Sequence, residues 1–264
     1  MYGVVRSTQR LTRSMVRVVL GGGNLDGFVP TPYSDQYIYA QFFPGGASYT
    51  APFDPADFKA LDSDHRPRGR HYTVRAWADE HQELTLDFVA HGDHGYAGPW
   101  AQRAQPGDCL QFTGPGGAYA PDPNAAWYLM AGDESALPAI GASLEALAPG
   151  ARAVVLVVVN GPDDELSLTT PGDANITWLH RRGAEDPVAL LPDAVAGLDF
   201  APGPVDVFVH GEAGEVRAVR KHLLSERGID KKKASISPYW RRMMTDEEWR
   251  TIKSAWLADQ EDDI

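Results

Sequence analysis

A chain of 264 residues holds one large domain or two of ordinary size. Its 43% hydrophobic and 23% charged residues place it with globular proteins that can bury a full core. The formal net charge of −12 argues against nucleic acid or an anionic membrane as a partner. One cysteine, Cys109, excludes an internal disulfide and fits a reducing compartment, so the cytoplasm is expected. The longest apolar run, AVVLVVV at 153–159, is too short to span a bilayer, and MYGVVRSTQR at the start has no apolar signal core. No stable membrane association is expected.

In chain order, residues 14–20 (SMVRVVL) and 36–43 (QYIYAQFF) read as strands, separated by the turn-rich GGGNLDGF. Residues 45–70 are rich in Pro, Gly and Asp and read as a long loop with one helical turn. Strands follow at 71–77 and at 83–90 (ELTLDFVA), where Leu84, Leu86 and Phe88 alternate with Thr85 and Asp87. A short helix is expected over 99–105 and a last strand over 109–113. Short strands with turn signals and no long helix predict a small β-barrel or sandwich. The texture changes near Pro121. Beyond it, 127–131, 152–160, 176–179, 205–209 and 234–237 read as strands, several continuously apolar as in a sheet buried on both faces. Helices are expected from Ser135 as cap to about 147, from 214 to 227, and from the capping-box spacing of Thr245 and Glu248 through 257. Strand–helix alternation predicts a parallel α/β sheet. The expected domains are therefore 1–121 and 122–264.

The stretch RHYTVR at 70–75 concentrates an aromatic ring, a hydroxyl and two guanidiniums. On a regular strand Tyr72 and Val74 share one face, with Thr73 and Arg75 on the other. A planar ring can cover a flavin, and arginine can clamp a pyrophosphate through paired hydrogen bonds. An ordinary half-buried strand with two solvated arginines is the alternative. GYAGPWA at 95–101 is a glycine-dense turn opening a helix, which suits a phosphate or a plain surface turn. Five of the eight histidines lie between His65 and His94, but none has zinc-motif spacing, so no metal is expected. AGDESALPAI at 131–140 lies at the carboxyl end of a strand, where open α/β sheets bind ligands, and His210-Gly211-Glu212 follows another strand in the same way. A full GxGxxG is absent. Lys231, Lys232 and Lys233 form the densest basic run, either a solvated loop or a site for an anionic group. SPYWRR at 237–242 sets two aromatics beside Arg241 and Arg242.

Together, RHYTVR, GYAGPWA, AGDESALPAI and SPYWRR make the chain resemble, nearly end to end, the siderophore-interacting proteins, which are flavin-dependent ferric-siderophore reductases. The resemblance implies a ferredoxin-reductase-like fold: an antiparallel FAD-binding β-barrel followed by an α/β parallel-sheet domain for NADPH or NADH. It also implies the contacts. Tyr72 would cover the flavin, Thr73 would approach its N5, and Arg70 and Arg75 would hold the ribityl–pyrophosphate arm. Val89, Ala90 and His91 would line the ring, and Ala97, Gly98, Trp100 and Ala101 would receive the pyrophosphate. Asp133, Glu134 and Ser135 would lie where nicotinamide meets flavin; His210, Gly211, Glu212, Trp240, Arg241 and Arg242 would face the nucleotide. Gly98 stands where the family usually has serine, and Ser237-Pro238 and Met243 replace glycines flanking YWRR. The expected activity is NAD(P)H-driven reduction of a ferric siderophore through FAD. The chelate would dock over the exposed flavin face, near the lysine run if it is anionic, and no acid–base residue would be required. A non-catalytic siderophore or flavin carrier, or a flavin reductase fed by ferredoxin, remains open.

Overall fold

The computed structural model describes residues 1–47, 49–90 and 92–264. They form two compact units, Met1–Ala118 and Tyr119–Ile264.

The first unit is a closed barrel of β1 (Tyr2–Arg10), β2 (Met15–Gly21), β3 (Tyr37–Phe42), β4 (Arg68–Ala78), β5 (Glu83–Val89) and β6 (Cys109–Gly116). The ring order is β1-β2-β5-β4-β3-β6, every pairing is antiparallel, and β6 closes onto β1. The alternating apolar positions read from the sequence supply the filling: Val18, Leu20, Ile38, Leu84, Leu86, Phe88 and Phe112 are all buried. β1 was not anticipated. Its residues beyond Val5 are exposed, so it lacks the alternation that would betray it. β4 also starts earlier than expected, because Gly69 lets the Tyr39 ring lie across it where any side chain would collide. The following alternation does not run through Arg75. Val74 pairs with Leu86 and Ala76 with Thr85, so Arg75 is the extra residue of a β-bulge. The long loop carries two 3-10 turns, Pro55–Ala60 and Ser63–His65. Its four rings, Phe43, Tyr49, Phe53 and Phe58, pack together, with Phe53 and Phe58 centroids 4.1 Å apart. A short helix, α1 (Ala97–Arg103), opens two residues before its expected start.

The second unit is a parallel sheet of β7 (Trp127–Asp133), β8 (Arg152–Val159), β9 (Asp173–His180), β10 (Val205–Glu212) and β11 (Ala234–Trp240), in the order β11-β10-β7-β8-β9. Its helices are α2 (Leu137–Glu145), α3 (Leu190–Ala196), α4 (Ala213–Lys221) and α5 (Asp246–Asp259). β7 is buried at every position and β8 at six of eight, as continuous apolar runs require. α3 was missed: Pro192 sits in its first turn, and Leu191 and Val195 are its buried residues. Ser135 is not a helix cap, since its hydroxyl bonds to Asp133 and α2 begins after Ala136. α4 is shorter than expected and passes into a π-turn, His222–Glu226, before Gly228 at φ +66°. α5 has the capping box the sequence announced, with Thr245 and Glu248 bonding reciprocally. The chain runs outward from β7 to β8 and β9, then returns across β7 to β10. That reversal opens a crevice between the carboxyl ends of β7 and β10, the position where such sheets take ligands.

Candidate functional site

In the barrel unit, Tyr72 is half-buried and its ring lies on a bed of aromatic side chains. The Phe88 ring centroid is 4.3 Å away at a 39° tilt, and Phe42 is 6.1 Å away. Trp100 packs on both Phe42 and Phe88 at 5.7 and 5.6 Å, so it backs this bed. Arg70 shares the alternation of Tyr72; it donates to Gly69 O at 2.9 Å and lies 5.5 Å from the Tyr96 ring centroid. Thr73 is buried, paired with Tyr37 across the ladder. The N–H of Ala90 is spent on Ser14 O at 2.8 Å. Val89 and Ala90 lie against α1, since a Cβ on Gly98 would stand 3.1 Å from Val89 O and 3.3 Å from Ala90 Cα. The glycine at 98 therefore serves a close helix–strand contact. Ala97 and Ala101 are buried, leaving the backbone at the start of α1 as the part of that turn able to meet a phosphate. The expectation for His91 lies outside the described residues. A backed aromatic ring, the arginines at 70 and 75, and the Ala97 and Gly98 N–H groups at a helix start form a donor set that fits FAD.

At the carboxyl edge of the second unit's sheet, the acids do the organising. Asp133 is buried at the end of β7. Its Oδ2 accepts from the Glu212 N–H at 2.9 Å and Trp240 Nε1 at 2.7 Å, and its Oδ1 accepts from the Ser135 N–H and hydroxyl at 2.8 and 2.5 Å. Glu134 is held by Arg181 Nη1 at 2.6 and 2.8 Å. Glu212 caps α4, accepting from the N–H groups of Gly214 and Glu215 at 2.7 and 3.1 Å, and takes the Arg242 N–H at 3.0 Å. Glu215 accepts from Arg242 Nη2 at 2.7 Å. Gly211, at φ +143°, lies where a Cβ would press on the Asp133 carboxylate, so a residue with a side chain fits there neither by backbone nor by space. His210 is buried between Phe208 and Tyr239, with ring centroids 4.1 and 4.7 Å away. Burial drives its pKa down to about 3, so the imidazole is neutral near pH 7. Arg241 instead turns to the Trp249 and Trp256 rings of α5, at 5.9 and 5.7 Å.

The structure thus gathers Asp133, Glu134, Ser135, His210, Gly211, Glu212, Trp240 and Arg242 along one edge. It does not bring the lysine run there. Lys231, Lys232 and Lys233 form a 3-10 turn before β11, at the amino edge of the sheet. Lys231 pairs with Glu261 and Lys233 with Asp122, each at 2.6 Å. Sequence reading missed Arg181 and Glu215. Arg181 follows directly on a parallel strand, and Glu215 stands three residues after the Glu212 cap; both positions carry side chains toward the carboxyl edge.

Comparison with known proteins agrees with this geometry. Residues 4–119 match the siderophore-interacting FAD-binding domain, and residues 125–243 match the siderophore-interacting protein family. The ferric vibriobactin reductase ViuB of Vibrio cholerae is 36% identical over 247 residues, covering 90% of this chain and 88% of its own. The chain belongs to the siderophore-interacting proteins. Another relative of this siderophore-interacting protein is the NADPH-dependent ferric-chelate reductase of Escherichia coli, 31% identical over 89% of this chain and 91% of its own. Among solved structures, the siderophore-interacting protein SipS from Aeromonas hydrophila superposes with a TM-score of 0.82 at 27% identity, covering 98% of each chain. The barrel and parallel sheet of this family member are ferredoxin-reductase-like. No described helix is long and apolar enough to cross a membrane.

Proposed function

We propose that this protein reduces ferric siderophores, drawing electrons from NADPH or NADH through FAD. The observation that carries the reading is the backed ring of Tyr72 in a unit matched by the siderophore-interacting FAD-binding domain. The reductase relatives support the acceptor and the NADPH donor. Bound FAD supplies the exchange between a two-electron donor and a one-electron acceptor. The chain's part is placement. Tyr72 would cover the ring, Thr73 would approach it, and Arg70 with Arg75 and the α1 backbone would hold the phosphate arm. Asp133, Glu212 and Trp240 fix the carboxyl edge against which the nicotinamide dinucleotide is received. No proton donor is required of the protein at the iron, and iron(II) leaves hard oxygen chelators because it binds them more weakly than iron(III) does. A single cysteine, which leaves no internal disulfide to form, supports a cytoplasmic location.

The test is direct. Purified protein should be yellow and should bleach anaerobically with NADPH or NADH. It should then release iron(II) from a ferric chelate to a colorimetric trap. A colourless protein that binds chelate without turnover would refute the reductase reading. A second reading, with ferredoxin as the donor, is favoured by the four carboxylates of Asp133, Glu134, Glu212 and Glu215 at the carboxyl edge, which oppose a dinucleotide's diphosphate. Anaerobic stopped-flow with NADPH, NADH and reduced ferredoxin in turn separates the two.

A further inference from the structure

The carboxyl edge of the second unit sets Asp133, Glu134, Glu212 and Glu215 against Arg181 and Arg242. A diphosphate is poorly received there unless a cation can turn toward it. Arg242 is placed to do so. Its backbone is fixed by the N–H bond to Glu212, while its guanidinium is held by Glu215 and the side chain stays 36% exposed. Glu215 is the opposite: 1% exposed, in the first turn of α4, with Oε2 lacking any hydrogen-bond partner. Around it stand Asp133 at the end of β7 and Glu212 at the end of β10, which oppose its ionisation. Arg181 after β9 and Arg242 after β11 favour it. Burial outweighs these and pushes the carboxyl up to about 7.

We propose that Arg242 changes partners on ligand binding, leaving Glu215 for the diphosphate of a nicotinamide dinucleotide, while Glu215 takes a proton from solvent in exchange. This rests on the reading that the second unit receives such a dinucleotide. No covalent bond changes; one proton enters as one guanidinium departs. The sign follows from the neighbours. Losing Arg242 removes an attraction for the ionised carboxyl, so its proton affinity rises on binding. Below pH 7 Glu215 already holds its proton and binding takes up little. Above pH 7 uptake approaches one, and the dissociation constant climbs toward about tenfold per pH unit.

The experiment is calorimetric titration of NAD⁺ and NADP⁺ into FAD-loaded protein near pH 6 and near pH 8, each in two buffers of different ionisation enthalpy. The expected uptake is ~0.1 proton at the lower pH and ~0.9 at the higher. NAD⁺ has no 2′-phosphate, so uptake shared by both nucleotides belongs to the protein. In Glu215→Gln the uptake disappears and Kd becomes flat with pH. In Arg242→Gln it disappears too, and binding weakens at both pH values, which keeps the test decisive should the first variant not fold. Binding without proton uptake, or uptake that survives Glu215→Gln, overturns the exchange while leaving the dinucleotide reading in place. Absence of binding by both nucleotides overturns that reading and the exchange with it.

Discussion

The role proposed for Tyr72 rests on what lies beneath it. A ring tilted on Phe88 and braced by Phe42 has little freedom to lose when a second aromatic system settles on it. Tyr72→Ala is expected to weaken FAD binding about tenfold, ~1.4 kcal/mol, while Tyr72→Phe stays near the wild type; fluorescence titration of the flavin-free protein measures both. The half-buried setting of this position was legible in the sequence because alternation, which holds from Arg70 to Val74, is a local property. Glu215 and Arg181 were not, because their meaning depends on partners 27 and 47 residues away. Asp133 was legible as a strand-end acid, but its four hydrogen bonds were not all so, since two come from Glu212 and Trp240, which only the fold brings to it.

Among the elements, β7 and β10 pair at Gly132 and His210, and a Cβ on Gly132 would be driven into the carbonyl of His210. Backbone cannot yield as a side-chain tip can. Gly132→Ala should therefore cost about 1–3 kcal/mol in chemical denaturation and displace Asp133 as well. In the barrel, Arg17 on β2 grips Asp87 on β5 through two bonds of 2.7 Å, and Asp87 is almost wholly buried. Arg17→Met would strand that carboxylate, with an expected loss of about 3 kcal/mol. The apolar strands and the capping box of α5 could be read from residues alone. β1 and α3 could not, for each is held by what it pairs with or packs on. The lysine run also belongs to this scale. If an anionic ferric chelate docks beside it, Lys232→Glu raises the KM for that chelate, and an unchanged KM counts against the docking.

Across the whole molecule, two buried groups tilt the pH dependence of stability in opposite directions. His210 stays neutral down to about 3 when folded, whereas the unfolded imidazole protonates near its ordinary value of 6.5. The unfolded state therefore binds more protons between these values, and stability falls as pH drops through that window. Glu215 holds its proton up to about 7 when folded but loses it at about 4.5 when unfolded, so its contribution falls as pH rises through that window. Urea denaturation across pH should show the acid-side slope steepen in Glu215→Gln, where the carboxyl no longer opposes the histidine. The net charge of −12 acts at longer range: kcat/KM for an anionic ferric chelate should rise with ionic strength, while a neutral chelate responds little. One detail of the barrel bears on how such a protein could change. The residue inserted at 75 is surplus to the pairing of β4 with β5, whose register on either side would run on unbroken without it. Excising that single codon would leave a shell that still closes, and on the reading that Arg75 holds the phosphate arm it would remove that hold alone, so that the capacity to fold and the capacity to carry a cargo would be inherited separately.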